Sequence, residues 1–206
     1  MIRLLCFALL ALPAFSQAQS SPPGGDNPPT QSEQSEQAQA EDADDEYNRY
    51  TIRARDVPAD APRFEQYAVH EKFNEKPARP DVKSAARSRM FRTRIREGAA
   101  QGPNFAGHYT IVFWGCGSSC MGLAIIDAKS GRVFHPQNLQ YVESTNVAYD
   151  EFSDDERDAI RYRLDSKLIS VVGGINEDDK LRGISYFVWD KEKLRRIRFV
   201  RKPYGW

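Results

Sequence analysis

Two cysteines with only three residues between them stand between two apolar runs, and they constrain the fold more than any other feature. The runs cover residues 108–114 and 121–127, and the link between Cys116 and Cys120 reads Gly-Ser-Ser. β-Branched and aromatic residues at this density are typical of strands, and a short glycine-containing link is typical of a hairpin. The sequence therefore predicts a β-hairpin whose tip is closed by a Cys116–Cys120 disulfide.

Residues 1–18 have the pattern of a secretory signal peptide. Arg3 supplies a positive charge, residues 4–12 are apolar, and Ser-Gln-Ala at 16–18 matches a small-x-small cleavage site. The apolar run is shorter than the roughly 20 residues that a membrane-spanning helix needs. We therefore predict cleavage after Ala18, no transmembrane anchor in the mature protein, and a periplasmic or secreted location in a bacterium.

Export would leave one pair of cysteines in the mature protein. Cleavage removes Cys6, so Cys116 and Cys120 remain in an oxidising compartment, where a disulfide persists. A ring this small stabilises a domain by only about 2 kcal/mol in the chain-entropy estimate. We therefore expect the disulfide to hold a local shape rather than the whole domain.

Composition divides the exported chain into a tether and one domain. Residues 19–46 are rich in Pro, Gly, Gln, Ser and acidic side chains, with almost no large apolar ones. Such a segment buries too little apolar surface to offset the entropy of ordering, so we predict a flexible acidic tether. Residues 47–206 are enough for one ordinary domain with its own core.

One long amphipathic helix is predicted at residues 85–100. Ser84 is a favourable N-cap. Phe91, Ile95 and Ala99 recur every four residues, which places them on one face of the helix. A Gly-Pro pair after the helix is a suitable stop signal.

The remaining sequence contains strand patterns separated by turn signals. Strands are predicted at residues 64–73, 109–114, 123–126, 132–135, 167–172, 183–189 and 194–200. Ser-Asp-Asp-Glu at 153–156 has the form of a capping box and predicts the start of a short helix. These elements predict an α+β fold, with one N-terminal helix packed on an antiparallel β-meander that carries the disulfide-closed hairpin loop.

Charge and residue spacing narrow the classes of ligand. The formal net charge is zero, and with export this argues against binding to nucleic acid. Basic residues cluster at 87–96 and 191–202. They form either ordinary solvated faces or a surface for an anionic envelope polymer, a lipid headgroup or an acidic protein.

Two thiolates need two further ligands to hold zinc. No histidine or cysteine stands at a suitable spacing, so we predict no metal and no cofactor.

The hairpin tip contains the residues most suited to recognition, because a rigid loop lowers the ordering cost of binding. The candidate binding residues are Trp114, Gly117, Ser118, Ser119 and His108. The same stretch also permits a plain structural loop, a redox-active cysteine pair, or a nucleophile pair of Cys116 with His108. Neither serine lies in a Gly-x-Ser-x-Gly elbow, so no catalytic residue is assigned.

Three motifs resemble a group of small exported bacterial proteins of unknown function. They are FRTRIREGA at 91–99, GPNFAGHYTI at 102–111 and WGCGSSC at 114–120, and a weaker similarity extends over most of residues 75–190. The resemblance implies export and a single domain, and it transfers no catalytic residue. The loop is also similar in architecture to disulfide-closed loops that some periplasmic lysozyme inhibitors insert into an enzyme cleft.

Two functional hypotheses follow. The first is a non-enzymatic, inhibitor-like binding module that presents the loop at 116–120 to an envelope protein or an anionic envelope polymer. The second is an enzyme, either a periplasmic thiol–disulfide oxidoreductase or a hydrolase with a cysteine and a histidine. The disulfide separates them, because a structural disulfide resists reduction whereas a catalytic one is labile.

Overall fold

The computed structural model describes residues 30–32, 34–36, 48–71, 73–152 and 158–204. The predicted signal peptide, most of the predicted tether and the predicted helix start at 153–156 lie outside these residues. The chain divides into two compact units, Met1–Ala40 and Glu41–Trp206. In the first, residues 31–32 and 34–36 are helical, and the second contains every element named below. The predicted boundaries at residues 18 and 46 stay predictions.

In the described residues eight strands form one antiparallel sheet, which confirms the predicted antiparallel arrangement. The strands are β1 Tyr109–Gly117, β2 Cys120–Asp127, β3 Val133–Phe134, β4 Tyr141–Glu143, β5 Ile160–Tyr162, β6 Leu168–Ile175, β7 Asp178–Asp190 and β8 Lys193–Arg201. Neighbouring strands follow the order β1-β2-β4-β6-β7-β8, with β3 beside β2 and β5 beside β6. The sheet therefore consists of two hairpin-connected parts joined through the short strand β4.

Two tight turns connect β6, β7 and β8. Asn176 and Glu177 follow β6, and Lys191 and Glu192 follow β7. All four have positive φ values, between 47° and 61°. Two left-handed residues in succession give a turn whose twist matches that of paired strands. These turns place the two longest pairings of this half of the sheet, β6 with β7 and β7 with β8, in register.

The prediction of one continuous helix at residues 85–100 is wrong. Two short helices occupy this stretch, α1 (Ala86–Met90) and α2 (Arg92–Ala100). Phe91 between them has φ −101° and ψ 22°, outside the helical range, and its ring stacks on that of Trp114 at 4.2 Å. A stacked aromatic pair contributes more than the helix propensity of one residue, so the tertiary contact outweighs the local pattern. The helix begins after Ala85, which replaces the predicted N-cap Ser84.

The prediction of a strand at residues 64–73 is also wrong. Phe64–Tyr67 form a 3₁₀ helix, and Ala68 pairs with the sheet only through a single bridge to Ser166. A second 3₁₀ turn covers Ala54–Asp56, and a third covers Tyr149–Glu151. No helix in the described ranges has both the length and the apolar character needed to cross a membrane.

Both faces of the sheet are buried, because alternate side chains along each strand point to opposite sides. The largest cluster joins β1 and β2 to β6, β7 and β8; it includes Ile111, Ile125, Ile169, Phe187 and Leu194. On the outer face of β1 and β2, α2 contributes Ile95 and Ala99. Residues 52–67 pack on the outer face of β6 and β7. The helices thus support the hairpin of β1 and β2 from outside.

A single arginine ties distant parts of the chain to β7. Arg182 is 0% exposed. Its guanidinium donates hydrogen bonds to five main-chain carbonyl oxygens, those of Tyr50 at 3.0 Å, Thr145 at 3.1 Å, Asn146 at 2.8 Å, Lys202 at 2.9 Å and Pro203 at 3.5 Å. It also lies 4.3 Å from the ring centre of Tyr204. Because a planar guanidinium presents five donors in a fixed geometry, no other side chain could serve all these acceptors.

We expect Arg182→Met to destabilise the protein by at least about 3 kcal/mol, since each buried carbonyl that loses its donor costs roughly 1–3 kcal/mol. Urea unfolding followed by circular dichroism measures the loss. Arg195→Met is the matched control, because Arg195 is exposed on the neighbouring strand β8. The control should change the free energy of unfolding by no more than about 0.5 kcal/mol. Equal losses in the two variants would contradict the assigned role.

Candidate binding site at the hairpin tip

The tip of the β1–β2 hairpin is exposed and closed by the predicted disulfide. Cys116 and Cys120 are bonded, with their Cα atoms 5.1 Å apart. Residues 115–119 are all exposed. Gly117 has φ 148° and Ser119 has φ 54°. Glycine suits the first of these conformations because it has no Cβ to clash. The result is a short, covalently closed projection at one end of the sheet.

Strand β4 and the residue after it hold the tip on one side. The backbone N–H and the hydroxyl of Ser144 both donate to the carbonyl oxygen of Ser119, at 2.8 and 3.2 Å. Cys120 pairs with Glu143 across the sheet. A free two-stranded hairpin is only marginally stable, so these contacts and the disulfide together give the tip one defined position.

Two depressions of opposite charge flank the tip. One, of about 500 Å³, is lined by Phe113, Met121 and Arg94 as well as tip residues. The other, of about 320 Å³, is lined by Glu143 and Glu177 with Tyr141. Arg94 lies 3.7 Å from Glu97, and both side chains are largely exposed, so this ion pair is weak. The tip therefore stands between a basic, partly apolar side and an acidic side.

Trp114 supports the tip from beneath. It is 5% exposed and lies between the ring of Phe91 and the backbone of Gly122. The guanidinium of Arg87 lies 5.5 Å from the centre of the indole and 4.4 Å from that of Tyr141. Trp114 borders the basic depression without being presented to solvent, so its part in binding stays a prediction.

His108 is not brought to the tip. It precedes β1, whereas Cys116 lies near the other end of that strand. Eight extended residues span about 26 Å, and Cys116 is bonded to Cys120. His108 instead contacts Glu71, with 2.9 Å between Nδ1 and Oε2, and lies 3.8 Å from a carboxylate oxygen of Asp127. This arrangement is incompatible with a nucleophile pair of Cys116 and His108.

A polar cluster under the tip was missed by sequence reasoning. Ser88 is fully buried, and its hydroxyl lies 2.8 Å from Nε2 of His135. Burial, and then the charge of Arg87, lower the pKa of His135 below its ordinary value. A sequence signal existed for Ser88, because it stands three residues before Phe91 and would share a face with it in the single helix predicted at 85–100. Glu143 had no such signal, since β4 contains only three residues.

Comparisons with protein-family models, with curated proteins and with solved structures returned no match. Among the residues that the structure describes, no group of three or more His, Cys, Asp or Glu side chains is arranged to hold a metal ion. The candidate site therefore rests on the geometry of the hairpin tip and its two flanks.

We expect Gly122→Ala to displace Trp114 and to destabilise the protein by about 1–3 kcal/mol, as overpacking of a core does. The new Cβ would lie 2.4 Å from the indole nitrogen. Thermal unfolding measures the loss, and the indole N–H resonance of Trp114 reports the ring's position. Gly115→Ala is the control, because no atom lies within 4 Å of a Cβ there. A Trp114 resonance unchanged by Gly122→Ala would contradict the packing described.

Proposed function

We propose that the protein is a non-enzymatic binding module exported to the bacterial envelope, and that the hairpin tip contacts its partner. Export rests on the signal-peptide pattern of residues 1–18. The observation that carries the proposal is a disulfide-closed tip whose five residues 115–119 are all exposed. An ordered loop loses little conformational entropy on binding, so more of the contact energy appears as affinity.

The charges beside the tip favour a folded protein as the partner. A partner that covers both flanks would meet Arg94 on one side and Glu143 with Glu177 on the other. A uniform polyanion such as an envelope polymer would be attracted on the first side and repelled on the second. A narrow tip with different flanks fits a cleft in one orientation, as an inhibitor-like loop would.

An oxidoreductase is the alternative, and the exposure of Cys116 favours it. Reactive cysteines usually lie at a helix N-terminus, where the thiolate is stabilised. Here both cysteines belong to strands. This difference supports a structural role for the disulfide.

The reduction potential of the Cys116–Cys120 pair separates the two functions. Equilibration with redox buffers measures it in the purified chain. We expect a value below about −300 mV, the range of structural disulfides in secreted proteins. A value between about −270 and −120 mV, the range of dithiol oxidoreductases, would favour the enzyme.

We expect Ser118→Trp to abolish binding of the partner, because a bulky ring at the tip obstructs entry into a cleft. The partner is first found with a small alkyl-diazirine side chain at position 118, which lacks the bulk of a ring, in the intact protein mixed with envelope extract. Its affinity is then measured by calorimetry. Ser118 is the preferred position because a substitution at Gly117 would strain a backbone with φ 148°.

Thr93 supplies the matched control, since it is an exposed hydroxyl residue on α2. The same photo-reactive side chain at position 93 should not capture the partner. Thr93→Trp should leave the affinity for the partner unchanged. Equal cross-linking from positions 118 and 93, or full affinity in Ser118→Trp, would show that the tip is not the binding site.

A further inference from the structure

A second concave surface lies on the other flank of α2. Arg94 borders the hairpin tip, whereas Arg96 borders a separate groove of about 360 Å³. Two positions along an α-helix differ in direction by about 200°, so the groove and the tip use opposite flanks of the same helix. The groove lies between the last turn of α2 and residues 76–80.

The floor of the groove is apolar and fixed. It consists of Pro77, Ala78, Pro80, Ala99 and Ala100. The backbone N–H groups of Ala78 and Asp81 each donate to the turn between β2 and β3, at 2.7 Å to the carbonyls of Ala128 and Gly131. The two prolines restrict φ as well. The groove is therefore formed before any ligand arrives, as small-molecule sites usually are.

The rim of the groove carries three cations and no anion. Lys76, Arg79 and Arg96 border it and are all exposed. None of these three side chains makes a hydrogen bond or ion pair with another residue in the described ranges. The carbonyl end of α2 contributes a partial negative charge of about half an electron. Three full positive charges outweigh it, so the rim attracts an anion.

We propose that this groove binds a single-chain anionic amphiphile, with its apolar chain on the alanine and proline floor and its headgroup at the cationic rim. A soluble polyanion would leave the apolar floor unused, and a neutral apolar ligand would leave the three cations unused. A flat lipid surface would not reach a floor that lies between a helix and an extended segment. An isolated chain with one charged end matches both features.

Decanoate is the probe, compared with decanol, which lacks the charge, and butanoate, which lacks the long chain. We expect calorimetry to show that decanoate binds at least about tenfold more tightly than either. Each methylene contributes up to about fourfold when fully buried. Amide resonances of Ala78, Ala99 and Ala100 should shift on titration, whereas that of Gly117 at the hairpin tip should not.

Removal of the rim charges is the decisive variant. Lys76→Gln, Arg79→Gln and Arg96→Gln together should weaken decanoate binding by about tenfold, since exposed charge pairs contribute up to a few-fold each. Decanol binding should not change. The control replaces three other exposed cations of the same region, Lys83→Gln, Arg89→Gln and Arg92→Gln, with an equal change in net charge. Ala100→Phe should reduce binding of both probes by filling the groove.

Three results would overturn the proposal. The first is no binding of decanoate by the wild-type protein up to millimolar concentration. The second is an equal loss in the rim and control triple variants, which would mean general charge attraction. The third is sedimentation with phosphatidylglycerol vesicles in the absence of decanoate binding, which would identify the surface as a bilayer contact. None of these results depends on the hairpin tip.

Discussion

The hydrogen bonds of the buried Arg182 guanidinium are the interaction on which the arrangement of the chain around β7 depends. β7 places its guanidinium where the backbone at Tyr50, the segment after β4 and the segment after β8 meet. The carbonyl oxygens of these segments lie outside the strands of the sheet, and buried carbonyl groups need donors; that of Asn146 also accepts from the backbone N–H of Ile52 at 2.9 Å. A full positive charge in a buried position would normally be costly. Five main-chain acceptors and the face of Tyr204 offset that cost, and two of the acceptors, those of Thr145 and Asn146, lie just after β4.

The helix α2 connects the two candidate sites through opposite flanks. Its buried side, with Ile95 and Ala99, packs on β1 and β2 and holds the hairpin from outside. Arg94 lies on one flank and borders the tip, whereas Arg96 lies on the other and borders the groove beside residues 76–80. The arginine-rich segment at 87–96 is therefore not one basic surface. The guanidinium of Arg87 lies between the rings of Trp114 and Tyr141, while Arg94 and Arg96 border two separate depressions.

Long strands with local turns could be predicted from the sequence, and contacts between distant residues could not. β1, β2, β6, β7 and β8 were located within a few residues, because apolar alternation and turn signals lie in the strands themselves. β4 and β5 have three residues each and exist through their pairing with β6, so no local pattern marks them. The break at Phe91 has the same origin, since its cause is Trp114, 23 positions later. The disulfide was predictable because its cysteines are close in sequence, whereas the burial of Trp114 depends on Phe91 and Gly122.

The narrow pairing at β4 has a mechanical consequence. Between β2 and β6 this strand contributes only three residues, and only Val142 and Glu143 pair with both neighbouring strands. The two halves of the sheet are thus joined mainly by apolar side chains and only slightly by backbone hydrogen bonds. Backbone pairing resists a pulling force over a short distance, whereas apolar contacts yield gradually. Under tension the two halves of the sheet would separate first at β4. The β1–β2 hairpin would then detach as a folded unit that keeps its disulfide and its helices.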